Sequence, residues 1–478
     1  MGSPDQCVSM APAVPLDELL ARQREDFRRC PDPDRATRDG RLQRLGRLLL
    51  DNADAIAGAI SADFGHRSPR ETRLLEIFPS LESIRFARRH LATWMRPQRR
   101  PVSLWFQFGR ARVVIQPLGV VGIIAPWNYP ILLAVAPMVG ALAAGNRVMV
   151  KMSELAPRTA ALFADLASAV FAPEEVAVVQ GDALVGQAFS QMPFDHLLFT
   201  GSARVGHAVM RAAAENLTPV TLELGGKSPA IIGPDYPLAR AAERILVGKT
   251  LNAGQTCIAP DYVLLPAGKT GGFLDAAQKV VNACYPRLAA NPDYTTIVSD
   301  THFARLMGLL DDARTKGARV VPLAAAPAEA DAARRFLPPL ALTGVRDDMA
   351  IMREEIFGPL LPIVEYKTVD DAVAYVAARP RPLALYLFED DPGRIDRVLR
   401  HTHAGGVTIN DTILHIAQDS LPFGGVGTSG MGRYHGREGF ETFSHHKAVF
   451  HQSRLNALAL FKPPYGRVFD ALIRALLR

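Results

Sequence analysis

Between Val113 and Asn146 the chain carries no charged side chain. A run of that length would suit a membrane-spanning helix, but Pro117, Pro126, Pro130 and Pro137 fall inside it, with Gly119, Gly122 and Asn128 as further breaks. An interior proline removes a helical hydrogen bond and clashes with the preceding turn. The run therefore reads as a buried strand over 120–125, a loop over 126–130 and a buried helix over 131–144 rich in small residues. The alternation continues with a strand over 146–151, a helix over 159–170, strands over 176–181 and 196–201, and a helix over 202–215. Strand-length apolar runs separated by helical repeats predict parallel βαβ units with helices on both faces of the sheet. Upstream, residues 15–95 are rich in Arg and Leu at helical spacing, and no internal repeat is present. The Ala-rich stretch 324–333 reads as an exposed loop or a poorly ordered helix. Near the C-terminus, 455–461 is too short to span a membrane and is ended by Lys462-Pro463-Pro464. Residues 468–477 have the spacing of a basic amphipathic helix, expected to pack against the protein, with peripheral lipid contact as the alternative.

A chain of 478 residues exceeds one ordinary domain, so two or three are expected. Apolar residues at 48% and charged residues at 21% are ordinary for a soluble globular protein. The net charge of +6 comes from Lys and Arg dispersed among acids, without the like-charge blocks and interleaved aromatics that nucleic-acid binding would favour. Cys7, Cys30, Cys257 and Cys284 show neither a CxxC nor a paired spacing, which disfavours a disulfide framework or a zinc site and predicts a reduced, cytoplasmic setting. The first residues lack the basic flank and apolar run of a signal peptide, and Gln6 spoils a myristoylation match.

Candidate chemistry concentrates in a few segments. Cys257 lies in Asn252-Ala253-Gly254-Gln255-Thr256-Cys257-Ile258-Ala259-Pro260, and upstream runs Thr221-Leu222-Glu223-Leu224-Gly225-Gly226-Lys227. A thiol on a small-residue loop, with a carboxylate ending an apolar strand, suggests a covalent nucleophile and its base. Taken alone, such a cysteine is more often an inert core residue. Gly201-Ser202-Ala203-Arg204-Val205-Gly206 closes a strand and opens a helix, where amides and the helix N-terminus suit a pyrophosphate, although the spacing is not GxGxxG. Lys151 and Glu154, just after a strand, suit ribose hydroxyls or form a solvated charge pair. Asn128, in Pro126-Trp127-Asn128-Tyr129-Pro130, is a donor for a developing alkoxide or a shaper of the turn. Glu354-Glu355-Ile356-Phe357-Gly358-Pro359 joins an acidic pair to an aromatic. The Gly-rich run from Leu421 to Gly430 lacks the Gly-Lys-Ser/Thr of a P-loop.

In order and residue by residue, these segments resemble the aldehyde dehydrogenase superfamily over roughly residues 40–450. The resemblance implies that Cys257 attacks an aldehyde, that Glu223 activates the hydrolytic water, and that Asn128 and the backbone N–H of Cys257 hold the oxyanion. It places Gly201, Ser202 and Gly206 in the cofactor turn, Lys151 and Glu154 at the adenosine ribose, Glu355 at the nicotinamide ribose and Phe357 beside the nicotinamide. Met152 stands where the family usually has Pro. No metal is implied. Gln255-Thr256-Cys257-Ile258-Ala259-Pro260-Asp261-Tyr262 and Ile409-Asn410-Asp411-Thr412 look like the shorter, class 3-like branch. Asn410 to Asp419 and Phe64-Gly65-His66-Arg67-Ser68 look like bacterial coniferyl aldehyde dehydrogenases. The expected substrate is a small-molecule aldehyde of aromatic, cinnamyl type, with a medium- or long-chain aliphatic aldehyde as the alternative. His415 is either a contact for a substrate phenol or a core histidine. Retention of Glu223 argues against a CoA-acylating relative, and intact Cys257, Glu223 and Asn128 argue against a non-catalytic scaffold. NAD is expected over NADP because Glu154 would face a 2′-phosphate, while Lys151 and Arg204 keep NADP as a second option.

The fold implied is α/β. A Rossmann-like NAD(P)-binding domain takes 1–104 and 126–224, and an α/β catalytic domain takes 225–406. A small β bridging and oligomerisation element takes 105–125 and 407–450, and a tail takes 451–478. The expected assembly is a homodimer, with no nucleic-acid partner and no integral membrane segment.

Overall fold

The computed structural model describes residues 14–324, 329–456 and 458–477; Cys7 and part of the Ala-rich stretch lie outside them. Six strands form one sheet, in the order Gly430–Met431, Val220–Glu223, His196–Thr200, Val120–Ile124, Arg147–Lys151 and Val176–Val179. All of its pairings are parallel except that of the edge strand Gly430–Met431. Strand order reverses beside Val120–Ile124, which has Arg147–Lys151 on one side and His196–Thr200 on the other. Ligands of open α/β sheets bind beyond the C-terminal strand ends at such a reversal.

The uncharged run is core. Val120, Val121 and Ile123 have no exposed surface, nor do Val148, Met149, Val150, Leu197 and Leu198 on the neighbouring strands. Parallel strands covered on both faces need such continuous apolar runs. The helix Leu132–Ala144 that follows is buried from Leu133 onward and keeps Pro137 inside it. It ends at Gly145, whose φ of 97° is the left-handed cap that glycine adopts without strain. Among the described residues no helix is long and apolar enough to cross a membrane.

The second sheet has seven strands, in the order Arg319–Pro322, Leu340–Thr343, Leu360–Tyr366, Tyr262–Pro266, Pro229–Ile232, Ala384–Phe388 and Gly406–Ile409. A third, antiparallel sheet joins Gln98–Arg100, Arg110–Pro117 and Ser444–His451. Strand pairing corrects the expected division in three places. Val120–Ile124, assigned to the bridging element at 105–125, lies inside the six-stranded sheet. Gly406–Ile409, at the start of the bridging segment 407–450, is the edge of the seven-stranded sheet, paired with Ala384–Phe388. Gln98–Arg100, assigned to the cofactor domain, joins the bridging sheet. The physical cause of the first is Gly119, whose φ of 145° turns the chain out of one sheet into the other.

The Arg- and Leu-rich N-terminal part is helical over Leu16–Arg29, Arg35–Asp51, Ala53–Phe64 and Phe78–Trp94. Between the last two lies a short helix, Pro69–Thr72, continued by a π-turn at Arg73–Ile77 that hydrophobic spacing did not foretell. At the far end the amphipathic helix forms as Arg467–Leu476, but none of its residues is buried. Phe469 meets the rings of Phe461 and Tyr465 within the tail, and Phe469, Leu472, Ile473 and Leu476 are half-buried along one face of the helix.

Candidate active site

Glu223 closes the strand Val220–Glu223 between Thr200 and Gly430 of the flanking strands. Its carbonyl accepts from the Gly201 amide at 3.0 Å, and the next amide, Leu224, donates to Ser429 O at 3.0 Å. The Gly-rich segment thus clamps the strand end. The Glu223 side chain is buried and neither carboxyl oxygen has a hydrogen-bond partner. Burial without compensating donors pushes its pKa well above the carboxylate range.

Cys257 follows a tight turn, Leu251–Gly254, in which Asn252 (φ 52°) and Ala253 (φ 51°) are both left-handed. Non-glycine residues held there carry about 1–3 kcal/mol of strain each, which the surroundings must offset. They do so through polar anchors. The Asn252 amide donates to Glu71 Oε1 at 2.5 Å. Gln255 Nε2 donates to Asn252 O at 2.9 Å and Thr296 O at 3.1 Å, while its Oε1 accepts from Val298 N at 3.0 Å. Cys257 itself is partly exposed in this otherwise buried loop. Its thiol pKa is pushed up, first by desolvation and then by Glu355 and Glu223; the backbone amides of Cys257 and Ile258 pull the other way. At rest the sulfur is therefore a thiol, and attack requires its ionisation.

Asn128 is buried over the same loop. Its Nδ2 donates to Gln255 O at 3.1 Å, and its own carbonyl accepts from Asn252 Nδ2 at 3.0 Å and Arg67 Nη1 at 3.2 Å. An amide NH₂ has two hydrogens; with one on Gln255 O, the other is left for a ligand oxygen. Next to it, the Tyr129 hydroxyl meets Thr256 Oγ1 at 2.6 Å, and the Trp127 ring lies edge-on to Phe357 at 5.4 Å. The structure thus brings Asn128, Phe357 and the Cys257 loop together.

The remaining predicted residues gather at strand ends of the six-stranded sheet and on the loop before Leu360–Tyr366. Lys151 is buried with Nζ donating to Met152 O at 2.7 Å and 3.7 Å from Glu154 Oε2, and burial lowers its pKa. Ser202 caps the helix Ala203–Ala214. A Cβ on Gly206 would lie 2.7 Å from Leu224 Cδ2, so a side chain there would require Leu224 to shift. Glu355 lies directly over Gly225, where a Cβ would fall 2.0 Å from its Oε2. Its Oε1 is buried without a partner, and desolvation with the Asp261 charge pushes its pKa up to about 8. His415 is buried with Nδ1 on Thr408 Oγ1 at 2.8 Å, its ring against Gly406 and stacked on Phe423, and burial holds it neutral by lowering its pKa to about 4.

Sequence reasoning missed the supports. Lys227 pairs with Asp261 and donates to Ile351 O at 2.8 Å and Glu354 O at 3.0 Å, while Asp261 Oδ1 accepts from Ile356 N at 3.0 Å, so this pair fixes the loop that carries Glu355. Both stood inside quoted motifs, but the loop they hold is remote in sequence. Glu71 and Glu76 gave no signal in the sequence, and Arg67 stood in a quoted segment without a role of its own.

A nicotinamide cofactor fits the donors and acceptors present. Orphaned buried Thr200 Oγ1 and Glu355 Oε1, the buried Lys151 ammonium and the capped helix start surround the strand ends where such a ligand sits.

Comparison with known proteins agrees with this chemistry. Residues 7–449 match the Aldehyde dehydrogenase family. A probable coniferyl aldehyde dehydrogenase of Pseudomonas aeruginosa is 55% identical over 461 residues, 96% of each chain. A coniferyl aldehyde dehydrogenase of another Pseudomonas is 49% identical over 91% of this chain and 92% of its own. Among solved structures, Staphylococcus aureus AldH in its substrate-bound state superposes with a TM-score of 0.91 at 38% identity, covering 97% of this chain and all of its own. A Mycobacterium tuberculosis aldehyde dehydrogenase complexed with NAD+ superposes with a TM-score of 0.81 at 30% identity, over 91% and 89% of the two chains.

The burial of Glu223 has a consequence for stability. Its folded-state pKa is raised above the unfolded value of about 4.3. A group raised in this sense stabilises the fold fully below the unfolded pKa, and that contribution is lost as pH rises through the folded pKa. Glu223→Gln abolishes the titration. Urea denaturation of both proteins at about pH 4.5 and about pH 8 should show wild type losing stability relative to Glu223→Gln at the higher pH. A pH-independent difference would mean that the carboxyl is solvated in the native state.

Proposed function

The chain belongs to the aldehyde dehydrogenase family, and from that premise we propose that it oxidises an aromatic, cinnamyl-type aldehyde to the carboxylic acid through a covalent intermediate on Cys257. Coniferyl aldehyde is the leading substrate on the strength of the Pseudomonas relatives. The observation that carries the mechanism is the pairing of an unpartnered, buried Glu223 carboxyl with a Cys257 loop roofed by Asn128.

The ionised Cys257 sulfur adds to the aldehyde carbon. The free N–H of Asn128 Nδ2 and the backbone N–H of Cys257 receive the resulting alkoxide oxygen; one such donor is worth roughly 3 kcal/mol of barrier. When bound, NAD supplies the hydride acceptor that converts the thiohemiacetal into a thioester. Lys151 and Glu154 would hold its adenosine ribose, Gly201, Ser202 and Gly206 its pyrophosphate, Glu355 its nicotinamide ribose, and Phe357 would flank the ring. Glu223 then takes a proton from water, whose attack releases the acid and returns the thiol. A raised carboxyl pKa suits this role, because a base is most effective near the working pH.

The same reading divides the chain into a cofactor domain around the six-stranded sheet, a catalytic domain around the seven-stranded sheet and a bridging sheet. Leu104, Trp105, Phe106 and Phe108 are exposed where the bridging sheet begins, and Phe450 where it ends. These apolar groups support a homodimer formed through this element. The described cysteines Cys30, Cys257 and Cys284 are unpaired, in keeping with a cytoplasmic enzyme.

Three outcomes are expected. Cys257→Ala lowers turnover by on the order of 10³-fold or more while leaving NAD affinity intact. Glu223→Gln gives a burst of reduced cofactor, one per active site, followed by steady turnover slowed roughly 10²- to 10⁴-fold. Unchanged steady turnover without a burst would remove Glu223 from the mechanism. In cofactor choice, the Glu154 carboxylate disfavours a 2′-phosphate, so kcat/KM for NAD should exceed that for NADP by about tenfold. Equal or higher efficiency with NADP would show that Lys151 or Arg204 dominates the site.

A further inference from the structure

Beneath the active site lies a cluster of three ionic side chains almost wholly removed from water. Arg67 and Glu76 are fully buried, and Glu71 nearly so. Arg67 Nη1 donates to Glu76 Oε1 at 2.8 Å and to the Asn128 carbonyl at 3.2 Å, while its Nε lies 3.9 Å from Glu71 Oε2. The guanidinium faces the rings of Tyr129, at 4.9 Å, and Phe64, at 5.4 Å. Glu76 Oε2 accepts from the amides of Ile131 at 2.8 Å and Leu132 at 3.2 Å, at the start of the helix that follows the Asn128 loop. Glu71 accepts from the Asn252 amide at 2.5 Å and the Thr295 hydroxyl at 2.5 Å, on the strained turn before Cys257. One guanidinium and two carboxylates therefore hold both loops of the site.

The geometry is matched to arginine. Nη1 alone makes both bonds, to a carboxylate and to a carbonyl, while Nε and Nη2 are buried without a hydrogen-bond partner. The planar guanidinium lies against two rings, a stacking that the compact ammonium of lysine does not reproduce. Removing one partner of a buried ion pair also leaves an uncompensated charge, so the cluster acts as a unit. Its contact with the reaction is indirect: Arg67 touches the backbone of Asn128, whose side chain faces the reacting oxygen.

We propose that Arg67 is a positioning residue for the oxyanion site: by anchoring the Asn128 carbonyl beside Asn252 Nδ2, it orients the Asn128 side chain so that one N–H stays on Gln255 O and the other points to the developing alkoxide. The proposal rests on the reading of Asn128 as the oxyanion donor. A displacement of about 1 Å in such a donor is enough to lower a rate by about a hundredfold.

The test is a double-mutant cycle read by the rate of the reduced-cofactor burst in stopped flow, using the holoenzyme with NAD and coniferyl aldehyde. The variants are Arg67→Lys, Asn128→Ala and the two combined. Asn128→Ala should slow the burst roughly 10²- to 10³-fold. Arg67→Lys should slow it roughly 10- to 100-fold with KM for NAD changed by no more than about twofold. The double variant should be no slower than Asn128→Ala alone by more than about twofold, because Arg67 acts through that side chain. Multiplying penalties, or a wild-type burst in Arg67→Lys, would overturn the proposal. A wild-type burst in Asn128→Ala would overturn instead the oxyanion reading beneath it. Should Arg67→Lys not fold, as judged by circular dichroism, Glu76→Gln replaces it in the cycle. It frees the guanidinium from its charged partner, so a roughly tenfold slower burst, again not multiplying with Asn128→Ala, is expected, and an unchanged burst overturns the proposal.

Discussion

Desolvation governs this site. The proposed reaction needs negative charge on the Cys257 sulfur, then on an alkoxide, then on Glu223, in a region where burial pushes both the thiol and the carboxyl toward their neutral forms. Like charges held together in low dielectric do not ionise together. Covalent catalysis separates the demands in time. In the proposed sequence the charge sits first on the sulfur, and by the time Glu223 must act the sulfur is committed to a thioester. Because the carboxyl has no hydrogen-bond partner of its own, nothing in the resting protein competes with water for it.

Such a place must be held by groups that do not themselves move. The strained pair Asn252 and Ala253 puts Cys257 under Asn128, and Glu71 with Gln255 keeps that turn closed. Glu76 ties the Asn128 loop to the start of the most deeply buried helix of the six-stranded sheet's core. The Lys227–Asp261 pair does the same for the loop bearing Glu355. Precision thus comes from charged side chains bonded to backbone groups, which have fixed geometry.

Much of this was legible before any coordinates. The proline-broken uncharged run gave its strand and helix because period and punctuation are local properties, and Asn128, Glu223 and Glu355, singled out in the sequence, lie close to the Cys257 loop. What was not legible depends on distant partners. Arg67 belongs to a segment singled out in the sequence, yet its role exists only through Asn128 and the Cys257 loop. Glu76 looks like a helix-surface acid until the π-turn at Arg73–Ile77 sets it inward, and Glu71, on the short helix before it, is buried only because Asn252 and Thr295 donate to it from a remote part of the chain. The bridging boundary at 105–125 failed because Gly119 hands the chain from one sheet to the next without a change of composition. The tail helix shows the opposite limit: its spacing foretold an apolar face, while spacing says nothing about whether a surface waits to cover it.

The central claim is that the carbon of the aldehyde becomes bonded to the Cys257 sulfur and is released by Glu223. Acid quench of Glu223→Gln enzyme turning over NAD and coniferyl aldehyde, followed by peptide mass spectrometry, tests it most directly. The account predicts the acyl mass of the product acid on the peptide containing Cys257, and its absence when NAD is omitted. An acyl group on Cys30 or Cys284 instead, or no covalent adduct during productive turnover, would contradict it.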